Sequence, residues 1–332
     1  MSIISRLDAP RARWAIRGIG AIALIYVLVV LALIWWWSYE PPQFDVVALA
    51  QKRATSHQQQ TVNGSVVTST LMGCAEVLVD KRGGYISNDK FPPGLFMDNV
   101  PNWEFGALTA TRDLARELRN KFSRSQSQSE EDVDLKEADP LFSSPNDRWL
   151  LPSSEGQYAK AIAHVDGYFA RIGNNDPNAA QFYSRADNLA DYLDLVSTRL
   201  GSLSQRLSAS VGQLRLEGDA PVDPNAKEQI VSTPWAKIDD VFYESRGYTW
   251  ALLEQLKAMQ VDFGPTLQRK NAVVSLKQVI RELEESQKSV NSPMILNGSP
   301  FGFFANHSLV MANYVSRANA AIIDLKSLLD RG

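Results

Sequence analysis

An all-α chain, with an N-terminal single transmembrane helix followed by a large periplasmic helical bundle, is the fold class indicated by three features of the amino-acid order. Residues 18–37 run GIGAIALIYVLVVLALIWWW without a charge. Downstream, apolar residues recur at alternating steps of three and four, the period of a helix with one buried face. Between those stretches stand prolines, glycines and capping residues at spacings that end one helix and begin the next.

The apolar run comes first. At about 1.5 Å of rise per residue its length approaches roughly 30 Å, the thickness of a bilayer's hydrocarbon core. Arg6, Arg11, Arg13 and Arg17 precede it against one acid, Asp8, while Glu40, Pro41, Pro42 and Asp45 follow. The excess of arginine on one side places residues 1–17 in the cytoplasm, residues 18–39 in the membrane and the remainder in the periplasm. Arg13, Trp14 and Arg17 on the inner side, and Trp35, Trp36, Trp37 and Tyr39 on the outer, suit the lipid–water boundary. A cleaved signal peptide fits less well, because its apolar segment is about 7–15 residues long. The small-residue site at Ala48-Leu49-Ala50 also lies beyond two prolines.

Cys74 is the single cysteine, so no internal disulfide forms. That favours a bacterial inner-membrane protein over a eukaryotic ectodomain. Leu71-Met72-Gly73-Cys74 resembles a lipobox without the apolar segment that should precede one, and Cys74 reads as a buried small side chain. Beyond Tyr39, 30 basic residues face 36 acidic ones, a net charge of −6, which argues against nucleic acid or anionic lipid as the main partner.

Pro41-Pro42 stops the first helix, and residues 40–60 read as a juxtamembrane stalk, of which 51–60, polar and ending in Gln58-Gln59-Gln60, is stalk or the start of a solvated helix. Residues 61–332 form the helical domain. Val67, Leu71, Cys74 and Leu78 mark its first helix, closed by Lys81-Arg82-Gly83-Gly84. Residues 84–106 break the pattern with three prolines among five aromatics, a length of loop that is functional or unusually well packed. A helix over 103–122 carries Leu108, Leu114 and Leu118. Six acids between Glu130 and Asp139 then mark a mobile acidic loop near 123–150, and a calcium loop there lacks the glycine and the aspartate order it needs.

Ser153 or Ser154 caps a helix to Ile172. Asp176-Pro177 offers a cap and a first-turn proline for a long helix whose seam is Leu189, Leu193, Val196, Leu200, Leu203 and Leu207. After the turn-rich 217–232, Thr233-Pro234 restarts a helix with Ile238, Val241, Phe242, Tyr248, Leu252, Leu256 and Met259. Gly264-Pro265 begins another through Val273, Leu276, Ile280 and Leu283. Asn306 caps the last, where Met311, Val315, Ala318, Ile322, Leu325 and Leu329 repeat the alternation. Four seams joined by definite turns predict an antiparallel bundle, because each stripe needs a partner to hide it from water.

Chemistry is harder to find. His57, His164 and His307 are too far apart in sequence for a zinc motif, and phosphate-binding glycine loops and GxSxG are missing, so no metal and no cofactor is expected. Ser87 and Lys90 fit S-x-x-K but lack its companion motifs. Asp239, Asp240, Glu244 and Arg246 read as a structural ion pair or a solvated face. Trp103 and Glu104 begin a helix or line a groove, and Asn306 with His307 caps a helix sooner than it forms a catalytic pair with Ser308. These four are the candidate interaction or pocket residues. Polar residues beside the seams, among them Arg199, Arg206, Ser316 and Arg317, interlock the helices or face a second protein.

The phrases GGYISND, PNWEFG, LGSLSQRLSASVGQ, IDDVFYESRG and SPMILNGSPFGFFANHSLVMANYVSRANAAIIDL together resemble the bacterial family called domain of unknown function 2333 over nearly the whole chain. The resemblance implies single-span inner-membrane proteins and carries no activity or catalytic residue. The expectation is therefore a membrane-anchored envelope protein, a non-enzymatic scaffold that binds an envelope protein or itself. The alternative is a periplasmic hydrolase or ligand sensor with a pocket between the 84–106 and 292–305 loops.

Overall fold

The structure, a computed structural model, describes residues 10–125, 130–174, 179–214, 230–292, 294–300 and 302–331. Helix α1 spans Pro10–Trp37. Its segment Trp14–Trp37, 24 residues, is long and apolar enough to cross a membrane, with 6% of its most apolar window buried. This apolar segment begins before residue 18 and ends at Trp37, two residues short of the expected 18–39. Of Arg13, a predicted interface anchor, only the backbone lies among the described residues.

The stretch expected as a stalk is docked instead. Asp45 accepts the Val47 and Ala48 N–H groups and starts α2 (Val46–Ser56), whose Val46, Ala50 and Ala54 are buried against α3 (Ser65–Asp80). A stripe of three small side chains among polar neighbours is enough to dock a helix on a large core. Cys74 lies fully buried in α3.

Helix α4 (Asn99–Glu117) starts four residues before the expected position, since Pro101 sits in its first turn where no N–H is needed, and ends in a π-helical turn at Leu118–Phe122. The acidic stretch also contains a helix. Asp132 caps α5 (Val133–Phe142), and Leu135, Ala138 and Phe142 are buried. Its acids hold arginines: Asp132 and Asp134 bind Arg171, while Glu131 and Asp139 bind Arg119. Residues 126–129 of the predicted loop lie outside the described residues.

Helix α6 (Ser154–Ile172) has the expected Ser153 cap. Helix α7 (Ala186–Ser208) starts later than expected, and Asp176-Pro177 lies outside the described residues. Before it the chain runs extended, with Tyr183 donating its N–H to the Phe122 carbonyl and Phe182 stacked among Phe122 and Phe263. All six seam residues of α7 are buried. Strands β1 (Gln213–Leu214) and β2 (Ile230–Val231) pair antiparallel, and most of the turn-rich connection lies outside the described residues.

One 3-10 turn at Trp235–Lys237 leads into α8 (Ile238–Asp262). Every residue from 245 to 256 is buried, which makes α8 the shaft of the bundle. Its polar side chains are used: the Tyr192 hydroxyl donates to Gln255, and Gln255 donates to the Ala110 carbonyl. The backbones of α4 and α8 touch where Gly106 and Gly247 cross, since a Cβ on Gly247 would fall 1.9 Å from the Trp103 carbonyl oxygen.

The single helix expected after Gly264-Pro265 is two, α9 (Gly264–Arg269) and α10 (Val273–Ser286), divided at Asn271, whose φ of 52° no helix accommodates. Helix α11 (His307–Asp330) has the expected cap, with Asn306 Oδ1 accepting the Leu309 N–H at 2.9 Å and all six seam residues buried. The expected antiparallel packing holds for α11, which runs against α7 (Ser204 meets Ser316 and Asp194 meets Lys326) and against α10, but α4 and α8 lie parallel, Asn102 meeting Asp240 and Ala110 meeting Gln255 as both helices advance. Beside the seams, polar residues interlock: Ser204 with Ser316, Lys326 with Asp194, and Arg317 with Glu282.

Candidate functional site

Trp103 and Glu104 are buried, 2% and 0% exposed. Glu104 Oε1 accepts the Ile86 N–H at 2.8 Å and faces Lys81 Nζ at 2.5 Å. Its Oε2 accepts the Ser87 N–H at 2.8 Å and the Ser87 hydroxyl at 2.5 Å. Burial raises the carboxyl's pKa and Lys81 opposes the rise. One carboxylate therefore ties the start of the 84–106 loop to α4 and the end of α3, while Trp103 packs on Trp250 with ring centroids 5.1 Å apart. Both residues hold the structure together from inside.

Asn306 and His307 clasp the other loop. Asn306 Nδ2 donates to the Gly298 carbonyl at 2.7 Å, and His307 Nδ1 accepts the Leu296 N–H at 3.0 Å. Burial lowers the His307 pKa, in keeping with a neutral ring that accepts at Nδ1. The two pairs are not brought together. A cavity of about 250 Å³ beside His307 is lined by Phe242, Arg246, Met311 and Tyr314, whereas the small cavity at Trp103 is lined by Tyr39, Lys81, Asn99 and Tyr243.

The attachment of α1 carries interactions that sequence order concealed. Arg246, with its side chain 4% exposed, meets both oxygens of Glu40 through Nε and Nη2 and donates Nη1 to the Ser286 and Lys288 carbonyls at 3.0 and 2.9 Å. The Arg82 guanidinium lies 4.3 Å from the Trp36 ring centroid and 5.0 Å from that of Tyr39. Trp37 occupies the space a Cβ on Gly83 would fill. Glu40 was legible in the sequence as the end of the apolar run, but its partner lies 206 residues away.

Glu254 on α8 is fully enclosed, and among the described residues neither carboxylate oxygen finds a hydrogen-bond donor. Burial pushes its pKa from 4.5 up to about 7, against the opposing Lys257 and a Phe44 N–H that points toward it outside hydrogen-bond geometry. A folded-state pKa above the unfolded one favours folding below about pH 4.5, and the advantage is lost as pH rises through about 7. Glu254→Gln is expected to gain about 1–3 kcal/mol over the parent at pH 8 and nothing at pH 4. Thermal unfolding at the two pH values checks it, and equal gains at both would contradict the assignment.

The open chemistry of the bundle lies in a valley of about 640 Å³ between α4 and α7, floored by Glu244 and Tyr248 of α8. Four arginines line it. Arg199 forks onto Asp113 at 2.9 and 3.0 Å, and Arg206 onto Glu244 at 2.6 and 2.5 Å. Arg112 donates to the Phe142 and Ser144 carbonyls, both at 2.7 Å. Arg116 is exposed and enters no hydrogen bond or ion pair among the described residues. Two acids against four arginines leave the valley positive in a chain of net charge −3. Thr109, Thr198 and Ser202 add hydroxyls along both walls. Guanidinium groups held by their inner edges keep outward N–H donors for a carboxylate or phosphate. Helical spacing, Arg112 and Arg116 one turn apart and Arg199 and Arg206 two turns apart, could have flagged each wall, though not their convergence.

A family profile described as an uncharacterized protein conserved in bacteria matches residues 10–332. No curated protein and no solved structure matches the chain.

Proposed function

For this chain, which belongs to the bacterial family of domain of unknown function 2333, we propose a membrane-anchored, non-catalytic binding module of the cell envelope. It is anchored in the inner membrane by α1 with its N-terminus in the cytoplasm, and its bundle faces the periplasm. The arginine-lined valley carries the reading: it is positive where the chain as a whole is acidic, open, and fitted for an envelope partner that presents carboxylate or phosphate groups. The excess of arginine before α1 and of acid after it supports the orientation. Glu104 ties the 84–106 loop to its own helix start, and Asn306 and His307 tie the 292–305 loop to theirs, which favours a structural use of both loops over a pocket between them.

Photo-crosslinkers placed in living cells at Thr109 and Ser202, with Lys277 on the exposed side of α10 as the control, test the proposal. Adducts are expected at the two valley positions and not at Lys277. Arg116→Glu, a change at an exposed residue that enters no hydrogen bond or ion pair among the described residues, is expected to weaken the adducts about tenfold, the worth of one charge-assisted contact. Equal adducts at all three positions, or adducts indifferent to Arg116→Glu, would refute it.

A further inference from the structure

The most exposed aromatic residues of the bundle gather at one end. Among the described residues beyond Tyr39, every phenylalanine or tryptophan that is more than half exposed lies in one of three segments: Phe91 and Phe96 in 81–98, Trp235 in 230–237, and Phe303 and Phe304 in 287–306. Leu151, 95% exposed, lies in one more, 143–153, the second of the four in chain order. Elsewhere among the described residues beyond Tyr39, the large apolar side chains exposed to that degree are valine and isoleucine: Val133, Val274 and Ile323, with Val310 in the first turn of α11 beside the 287–306 segment.

These four segments ring the point where α1 meets the bundle. The first touches α1 directly, through Arg82 on Trp36 and Gly83 on Trp37. The second is bound to the first, since Asn88 donates to the Arg148 carbonyl at 2.8 Å and the Phe91 and Trp149 rings lie 5.5 Å apart. The third begins α8, which Asp240 ties to Asn102 at the start of α4. The fourth leaves the end of α10, where Arg246 grips the Ser286 and Lys288 carbonyls and Glu40 together, and Asn297 donates to the Ser210 carbonyl beside the third. Between Glu40 and Phe44 the chain climbs α8 from Arg246 to Trp250, so α1 points away from the bundle on the side where the four segments project.

Such an array costs solubility when it faces water, and an isolated patch of this kind marks a contact surface. Its composition matches the lipid–water boundary, where phenylalanine, tryptophan and leucine bury their apolar surface among headgroups and upper acyl chains. We propose that the α1 end of the bundle is a second membrane-contact surface, whose four segments dip Phe91, Phe96, Leu151, Trp235, Phe303 and Phe304 into the bilayer that α1 crosses. The proposal rests on α1 being a span. The clamp at Glu40 and Arg246 is then what sets the ring at the height of the boundary, and the acidic balance of the chain is no obstacle because the contact is apolar.

Spin labels on the full chain, carrying Cys74→Ala and reconstituted in phosphatidylcholine vesicles, test it. Labels go one at a time on Leu28→Cys within α1, Leu151→Cys and Phe303→Cys in the ring, and Val274→Cys at the far end. Collision with oxygen, which concentrates in lipid, is compared with collision with a water-soluble nickel chelate. The expected result is lipid contact at Leu28, Leu151 and Phe303, the ring labels sitting about 5–10 Å below the headgroup surface, and water contact at Val274. Lipid contact at Leu28 with Leu151 and Phe303 as wet as Val274 would overturn the ring while leaving the span intact. Water contact at Leu28 would overturn the span itself. Ring labels wet in pure lipid but protected in native membranes would assign the surface to a protein and also overturn the proposal.

Discussion

Arg246→Met is expected to destabilise the bundle by about 3–5 kcal/mol, the cost of removing one partner from a buried, hydrogen-bonded ion pair. The guanidinium is 4% exposed and serves two structures at once, the carboxylate of Glu40 and the carbonyls that end α10. Its loss leaves those carbonyls without their donor and frees Glu40, so the link between α1 and α8 loosens with the fold. The change is expected to lower the unfolding midpoint by roughly 2–4 °C for each kcal/mol. Glu40→Gln separates the two roles: it keeps the carbonyl contacts of Arg246 and weakens only the junction. Cysteine pairs linking α1 to the bundle should then crosslink less sharply, with little change in midpoint. If Arg246→Met unfolds at the parent's midpoint, the junction is not the structural clamp described.

Glu104→Ala is expected to cost a similar amount, about 3–5 kcal/mol, and to release the start of the 84–106 loop. The carboxylate is wholly buried and collects the Ile86 and Ser87 N–H groups, the Ser87 hydroxyl and the Lys81 ammonium. Removing it strands Lys81, whose side chain is 4% exposed, without its counter-ion. The double replacement Lys81→Met with Glu104→Leu is therefore expected to be less damaging than Glu104→Ala alone, because no buried charge is left over. Thermal unfolding measures both, and hydrogen exchange at Ile86 and Ser87 reads the loop. A double variant as damaged as the sum of its parts would show that the two groups act independently.

The helices with strong seams were legible. The α7 and α11 stripes step by three and four without interruption, and the Ser153 and Asn306 caps mark where two helices begin. What escaped has physical causes. In α2, Val46, Ala50 and Ala54 carry too little apolar volume to stand out among lysine, arginine and glutamine, yet a large core accepts so small a stripe. In α5, the acids dominate the composition, and their partners Arg119 and Arg171 lie outside the stretch itself.

The candidate site was less legible still. Trp103, Glu104, Asn306 and His307 stood out because unusual residues gather at helix starts, and the structure uses them inside the protein, as a packed ring, a buried knot and a clasp. The valley depends on Arg199 meeting Asp113 across 86 residues and Arg206 meeting Glu244 across 38. Nothing in a single sequence pairs such residues before α4, α7 and α8 are in place.

The claim beneath the proposed function is that α1 remains in a membrane and leaves the bundle on the periplasmic side. Alkaline phosphatase and a cytosol-restricted fluorescent protein, each fused after Gly332, with carbonate washing of the membranes, measure this directly. An active phosphatase, a dark fluorescent fusion and a chain that stays in the washed pellet are expected. A bright fluorescent fusion, or a chain released by carbonate, would contradict it.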